Sequence, residues 1–519
     1  MNESRKIQNA LISVYYKDGL EPVVKALQEF GINIYSTGGT QEFIEKLGIK
    51  VHAVEDLTGY PSILGGRVKT LHPKVFGGIL ARRENENDQK EVKQYEIPFF
   101  DLVIVDLYPF EETVKKLEGQ LPPSPLERGT GGEVEIIEKI DIGGISLIRA
   151  AAKNFNDTMI VCDKNDFKNL VEILQSQNGS TGIEQRRKFA AKAFHVSSHY
   201  DSKIYQYFEK EDPALKISIA EKMPLRYGEN PHQKATFYGN LNELLEQYNG
   251  KELSYNNLLD LDAAIGLLED FEEPTVAIIK HNNPCGVASR TNITEAWKDA
   301  LAADPVSAFG GIIALNRKVD EATALEMDKI FLEVLVAPGY DEKALEILKS
   351  KKNRIIMKQK FRLPDQQSVR SMLSGIAVQE RNTVILKKED LKLVTNSKAN
   401  DSQMEDLLFA DKIVKQAKSN TIVLARNKQL LGLGCGQTSR VDALKHAIEK
   451  AKNFGFDLQG SVMSSDAFFP FPDCVEIANN EGIKIVIQSG GSIKDDASIK
   501  YCNEHGMAMY FTGIRHFKH

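Results

Sequence analysis

Cysteine is scarce in this chain and poorly spaced for structural use. Cys162, Cys285, Cys435, Cys474 and Cys502 form no CxxC pair, which excludes a thiolate zinc site and a disulfide framework as first readings. A reducing, cytoplasmic setting is expected. No apolar run reaches the length needed to cross a bilayer. The opening Met-Asn-Glu-Ser-Arg-Lys leads into only a few apolar residues, so no signal peptide is expected. Excess basic charge is also missing. Lys and Arg number 66 against 72 Asp and Glu, a net charge of −6, so nothing draws the chain as a whole to nucleic acid or anionic membrane. An anionic ligand must be held by local clusters. What is present is a 519-residue chain, 42% hydrophobic and 27% charged, long enough for two to four globular domains.

Strand and helix signals alternate through the first 200 or so residues. Apolar runs at 10–15, 32–36, 49–54, 102–107 and 158–162 are separated by helical patterns near 21–30, 41–47, 144–154 and 165–176. This alternation predicts an α/β fold with a doubly wound parallel sheet, whose ligands sit at the carboxyl ends of the strands. Two signals fall there. Thr37-Gly38-Gly39-Thr40 opens a helix and offers backbone N–H groups to a phosphate. Leu107-Tyr108-Pro109-Phe110 places Tyr108 at a strand end. Between them, Gly65-Gly66 and Gly77-Gly78 bracket Arg67, Lys69, Thr70, His72 and Lys74. No periodicity explains residues 65–83, which read as an anion-binding loop with Val68, Leu71 and Val75 turned inward. Arg83–Lys93 reads as a solvated charged segment and the Pro/Gly-rich stretch 116–135 as an exposed loop. A domain boundary is expected near 203–220, with a first domain at 1–205 and a second at 206–519.

The second half carries an internal repeat. Cys285-Gly-Val-Ala-Ser289-Arg290 returns as Cys435-Gly-Gln-Thr-Ser439-Arg440, each copy after a β signal and before an Ala-rich helix signal, with Asp304…Phe309 and Asp466–Phe469 further on. Two similar α/β units, about 215–380 and 381–519, are expected. The basic stretch Lys349–Lys360 lacks interleaved aromatics and reads as a surface face. Lys280-His281-Asn282-Asn283-Pro284 ends an apolar strand with two groups suited to acid–base work. Arg226–Gln233 is a dense polar turn, and Phe468, Phe469 and Phe471 offer stacking faces for a flat heterocycle. A zinc deaminase is disfavoured, because His-Asn-Asn and Pro-Cys-Gly-Val-Ala supply neither its Glu nor its second Cys. His195 and His199 share a helix face but lack a third ligand.

Taken in order, these motifs closely resemble the AICAR transformylase/IMP cyclohydrolase family over nearly the whole chain. The resemblance also rests on Asp141-Ile-Gly-Gly, Arg149-Ala-Ala-Ala-Lys153, Ser419-Asn420 and the His519 terminus. It implies a methylglyoxal-synthase-like first domain that closes the purine ring. It implies a second region of two cytidine-deaminase-like units, without zinc, that transfers a formyl group from 10-formyltetrahydrofolate. Homodimers with transformylase sites at the interface are implied as well, with no catalytic metal.

Carried onto this chain, the resemblance implies a cyclohydrolase pocket of Lys17, Thr37, Gly38, Gly39, Thr40, Arg67, Lys69, Thr70, Val105, Asp106, Tyr108, Asp141, Ile142 and Lys153. Arg67 and the Thr37–Thr40 turn would hold phosphate, Lys69 and Thr70 would stabilise the oxyanion, and Lys153, with Asp141 and Tyr108, would move the proton. It places Arg226, Tyr227, Gly310, Glu333, Asn420, Arg440, Phe468 and Arg515 on the aminoimidazole ribotide. His281 would be the base and Lys280 the transition-state or folate-nitrogen partner. Val441, Asp473, Ser492, Ile493, Phe309 and Phe471 would face the folate. Tyr15, Asp106 and Ser489 depart from the family pattern. Asp106 stands for a frequent Asn and would have to donate a hydrogen bond or turn away. The rival reading is a ribotide-binding regulatory protein without turnover.

Overall fold

Five short strands, Asn9–Ser13, Asn33–Ser36, His52–Ala53, Leu102–Val105 and Met159–Val161, build an all-parallel sheet in the first half of the chain. The computed structural model describes residues 4–64, 68–118, 130–211, 214–362 and 367–519. The chain divides into two units, Met1–Ala220 and Glu221–His519. The division lies beyond residue 205 because the helix Ile183–Phe208 belongs to the first unit.

In that sheet the order is 52–53, 33–36, 9–13, 102–105, 159–161. Its apolar runs are continuous because both faces are covered. Ala10, Ile12, Leu102, Ile104, Met159 and Val161 enter one core with helices Leu20–Glu29 and Phe167–Ser176. Leu11, Val103, Val105 and Ile160 enter another with helices Pro73–Leu80 and Gly143–Lys153. The period of two along each strand thus supplies two cores from one run of residues.

Three expected loops are partly helical. Pro73–Leu80 is a helix with Pro at its first turn and His72 Nδ1 accepting from the Lys74 N–H at 3.1 Å. Leu71 is exposed rather than turned inward. Glu86–Gln94 is a surface helix capped by Asn85, whose charged composition hid its periodicity. Thr130–Ile137 is helical, while residues 119–129 of the Pro/Gly-rich stretch lie outside the described residues.

The second unit is built on one twelve-stranded mixed sheet. The duplication is visible as element order. An edge strand, a helix, an antiparallel hairpin, a helix and then three strands alternating with helices occur twice. The hairpins are Thr275–Lys280 with Asn283–Ser289, and Ile422–Arg426 with Gln429–Gly434. Each turns through two residues of positive φ, His281-Asn282 and Asn427-Lys428. Gly286 and Gly432 occupy equivalent places. A Cβ on either would lie 2.1 Å from a helix carbonyl, that of Ala300 or Ala447. This pairing corrects the sequence register. Cys285 is equivalent to Leu431, not Cys435, because each is the unpaired residue of its hairpin's bulge. Asp304 precedes a strand whereas Asp466 follows one, so they are not counterparts either. The stretch Lys349–Lys360 is not merely a surface face: Ile355, Ile356 and Met357 are core strand residues, and buried Arg354 pairs with Asp328 at 2.9 Å.

Candidate active sites

The first site opens at the carboxyl ends of the parallel strands, as a cavity of about 690 Å³. Two helix N-termini contribute to it. The helix Gly38–Lys46 begins after Thr37, and the helix Gly143–Lys153 begins after Ile142. Neither N-cap side chain satisfies the first-turn N–H groups; at the second helix Asp141 accepts from two of them, Gly144 at 2.6 Å and Ile145. Lys17, Lys69, Thr70, Asp106, Tyr108, Asp141 and Ile142 line the same space. Partial positive charge from two helix ends and the ammonium groups of Lys17, Lys69 and Lys139 suits the cavity to an anion.

Glycines allow the close approach. A Cβ at Gly38 would lie 3.3 Å from Lys69 Nζ, and one at Gly143 would lie 3.3 Å from Thr70 Oγ1. Thr40 is committed to structure: its hydroxyl donates to Val14 O at 2.9 Å and accepts from Val14 N–H at 3.2 Å. Thr37 donates to Glu55 at 2.6 Å, so the turn can offer a ligand its backbone N–H groups rather than these hydroxyls. Val105 is buried in its strand. Gly65, Gly66 and Arg67 lie outside the described residues.

Asp106 neither donates nor turns away. Its carboxylate accepts from the backbone N–H groups of Tyr15 and Tyr16, the latter at 3.0 Å. The replacement of Asn is thereby absorbed by the loop 15–16. Burial pushes the Asp106 and Asp141 carboxyls above the ordinary range, with backbone N–H donors opposing. Burial lowers the Lys17 ammonium, opposed by Asp106 and reinforced by Lys69. The Tyr108 phenol is held above its usual value by burial and by Asp141.

Lys153 is not brought to this cavity. It is exposed at the C-terminal end of the helix that starts at Gly143, about 15 Å along the axis at ~1.5 Å per residue. Its expected partnership with Asp141 and Tyr108 is not formed within the chain. Lys139, which sequence reasoning missed, is there instead. Its Nζ sits 5.7 Å from the Tyr15 ring and 6.0 Å from Tyr108, on the cavity wall. A cation two residues before Asp141 was the only signal available.

The second group of residues lies along one edge of the twelve-stranded sheet. Pairings 279–312, 288–429, 422–434 and 422–465 put Lys280, Gly434, Thr421 and Asp466 at the same edge. Two clusters form there. In one, Lys280 Nζ donates to Phe309 O at 3.0 Å and Gly310 O at 3.1 Å. His281 stands at the tight hairpin turn, fixed by Asn282 N–H donating to Asp260 at 2.6 Å. Glu333 pairs with Lys251 at 3.0 Å, close to the Arg226–Tyr227 segment, where Arg226 N–H donates to Leu253 O. In the other, Arg440 donates to Asn420 Oδ1 at 2.9 Å, Asp466 Oδ1 at 2.8 Å and Phe468 O at 2.9 Å. Arg515 covers the Phe468 ring at 5.1 Å.

Of the six expected folate-side residues, Phe309, Phe471 and Ile493 are 62%, 53% and 102% exposed; the Phe331 ring lies 5.3 Å from that of Phe309, and Lys494 Nζ sits 5.0 Å over the Phe471 ring. Asp473 opens the helix Asp473–Asn480, Val441 lies in the first turn of Arg440–Asn453, and Ser492 N–H donates to Asp495 at 3.0 Å. Burial pushes the Cys285 thiol up to about 12, and its Sγ donates to Ile278 O at 3.5 Å. His199 is engaged by Glu111 at 2.7 Å and Ser218 at 2.8 Å.

Two family models match the chain: the AICARFT/IMPCHase bienzyme over residues 151–450, and the MGS-like domain over residues 19–146. The chain is 58% identical to the bifunctional purine biosynthesis protein PurH of Bacteroides thetaiotaomicron, over 100% of both chains. It is 48% identical to PurH of Aquifex aeolicus and 46% to that of Acetivibrio thermocellus, covering 98% and 99% of this chain and 100% of each relative. The chain belongs to the AICARFT/IMPCHase bienzyme family. It is a bifunctional enzyme of purine biosynthesis, joining an AICAR formyltransferase that uses a folate-type cosubstrate to an IMP cyclohydrolase, and it carries out the last two steps to IMP.

Proposed function

We propose that the strand-end cavity of the first unit is the cyclohydrolase site and the shared edge of the second unit is the transformylase site. The convergence of two helix N-termini with Lys17 and Lys69 on one cavity carries the first assignment. The ribotide phosphate takes the helix ends. The carboxamide nitrogen adds to the formyl carbon, and its oxygen becomes an oxyanion beside Lys69 and the Thr70 N–H. Asp141 and Tyr108, side by side in the wall, serve the proton transfers that release water.

In the second unit the cosubstrate is 10-formyltetrahydrofolate. The ribotide amine attacks its formyl carbon, the bond to folate N10 breaks, and tetrahydrofolate leaves. His281 takes the amine proton and Lys280 serves the departing nitrogen. No metal is invoked for either step.

The working form is a homodimer. Lys280 and Asp466 stand four strands apart, about 19 Å at ~4.8 Å per strand. That is too far for both clusters to touch one transferring formyl group, so a second copy completes each site. The hairpin Ser368–Met372/Gly375–Gln379 supports this. Among the described residues it pairs with no other strand, and it exposes Val369, Leu373 and Ile376, although an isolated two-stranded hairpin is marginal in water. The five free thiols suit a reducing cytoplasm. The test is incubation with AICAR and 10-formyltetrahydrofolate. IMP should accumulate; ribotide binding without turnover would contradict the reading.

A further inference from the structure

Lys280 is aimed by the turn that runs from Asp304 to Gly310. Its ammonium is held by two carbonyls, Phe309 O and Gly310 O. Those carbonyls end a four-residue helical turn, Pro305–Ala308, whose N-cap is Asp304. The Asp304 carboxylate accepts from Ser307 N–H at 2.8 Å and from Ser307 Oγ at 2.7 Å. Its side chain is only 4% exposed, and among the described residues its one cationic partner is Lys450, on the helix Arg440–Asn453 of the other repeat. Lys450, Asp304 and Ser307 line one cavity of about 280 Å³ with Lys280 and His281. At the far side of the turn, Gly310 N–H donates to Phe331 O at 2.8 Å, and a Cβ at Gly310 would lie 3.4 Å from Lys280 Nζ.

We propose that Lys450 is a positioning residue for formyl transfer: by pairing with Asp304 it fixes the 304–310 turn and so the carbonyl cradle that aims Lys280. The pair ties the 304–310 turn of one repeat to the helix that follows the hairpin of the other. A buried carboxylate that loses its cation must reorient or take up a proton, and either change loosens the cap on which the cradle rests. Lys450 touches no substrate in this scheme. Its effect is therefore on turnover rather than binding.

This inference rests on the reading of Lys280 as a group of the transfer site, and the experiment separates the two. Lys280→Met, Lys450→Met, Lys450→Arg, Asp304→Asn and the Lys450→Met/Asp304→Asn pair are assayed in the full chain for formyl transfer and for ring closure of formylated ribotide. Lys450→Met should lower the transfer kcat about tenfold with the ribotide KM within twofold, while ring closure stays unchanged. Lys450→Arg should recover most of the loss. The double variant should be no slower than Lys450→Met alone, because the two act through one contact. Asn at 304 keeps an N-cap, which guards against simple misfolding. The inference fails if Lys450→Met keeps kcat within twofold while Lys280→Met does not, if KM rises in place of the kcat loss, or if Lys450→Arg is as slow as Lys450→Met. If Lys280→Met itself retains full transfer, the transfer-site reading fails first.

Discussion

Asp141 accepts the Gly144 N–H at 2.6 Å, and the contact leaves no room for a side chain at 144. A Cβ there would lie 2.7 Å from Asp141 Oδ2. Gly144→Ala must therefore displace the carboxylate from the wall of the first cavity. An ångström-scale displacement of a reacting group can cost about 100-fold. Ring closure should fall by about that factor, with formyl transfer unchanged in the same preparation. Parallel assays of the two half-reactions check it.

The pH profile of ring closure should carry the mark of Asp141. Burial, opposed by N–H donors from Gly144, Tyr108 and Ile145, raises this carboxyl above its ordinary range. Activity that needs the carboxylate is lost as pH falls through that raised value, so the acid limb should lie above the ~3.9 of a free Asp. Asp141→Asn should remove the limb along with most of the activity. The stability sign is separate. A raised carboxyl binds more protons folded than unfolded, so its contribution improves as pH falls through the same window. An acid limb at or below the free-Asp value would contradict the assignment.

Asp106 divides its two oxygens between the N–H groups of Tyr15 and Tyr16. Asn at this position keeps one acceptor and turns an amide donor toward the other N–H. Asp106→Asn should cost about 1–3 kcal/mol, which lowers the melting temperature of a unit this size by about 2–4 °C per kcal/mol. Thermal unfolding followed on the full chain measures it. An unchanged or raised melting temperature would show that the 15–16 loop does not depend on the carboxylate.

Much of this architecture was legible in the chain, for identifiable reasons. Ala10–Ile12 and Leu102–Val105 stood out because a parallel strand covered on both faces must be apolar throughout. Thr37–Thr40 and Tyr108 were found because strand ends in such sheets are where ligands bind. Glu86–Gln94 was missed because a solvated helix has little apolar stripe to show. The repeat was detected but misaligned: Cys285 and Cys435 match as letters, whereas Gly286 and Gly432 match in space, each pressed on a helix carbonyl. The family resemblance put Lys153 in the pocket, yet a straight helix carries it to the end opposite Gly143. Lys450 could not be read at all, since its partner lies 146 residues away in the other repeat.

The exposed hairpin and the divided edge make a joint prediction. Leu373→Asp with Ile376→Asp should convert the dimer to monomer in light scattering and remove formyl transfer, leaving ring closure intact. Mixing His281→Ala with Arg440→Ala, each inactive in transfer, should restore part of the activity after subunit exchange, because one of the mixed sites is then intact. A monomeric wild type, or no recovery on verified exchange, would contradict the shared site.

If one chain holds two chemically separate sites, each half-reaction can be removed without the other. The most direct measurement is a pair of assays on His281→Ala and Asp141→Asn: formyl transfer to AICAR, and ring closure of supplied formylated ribotide. His281→Ala should lose transfer by about 100-fold or more, the lower range for a general base, and close the ring at the wild-type rate. Asp141→Asn should do the reverse. Loss of both activities together in either folded variant would contradict the claim.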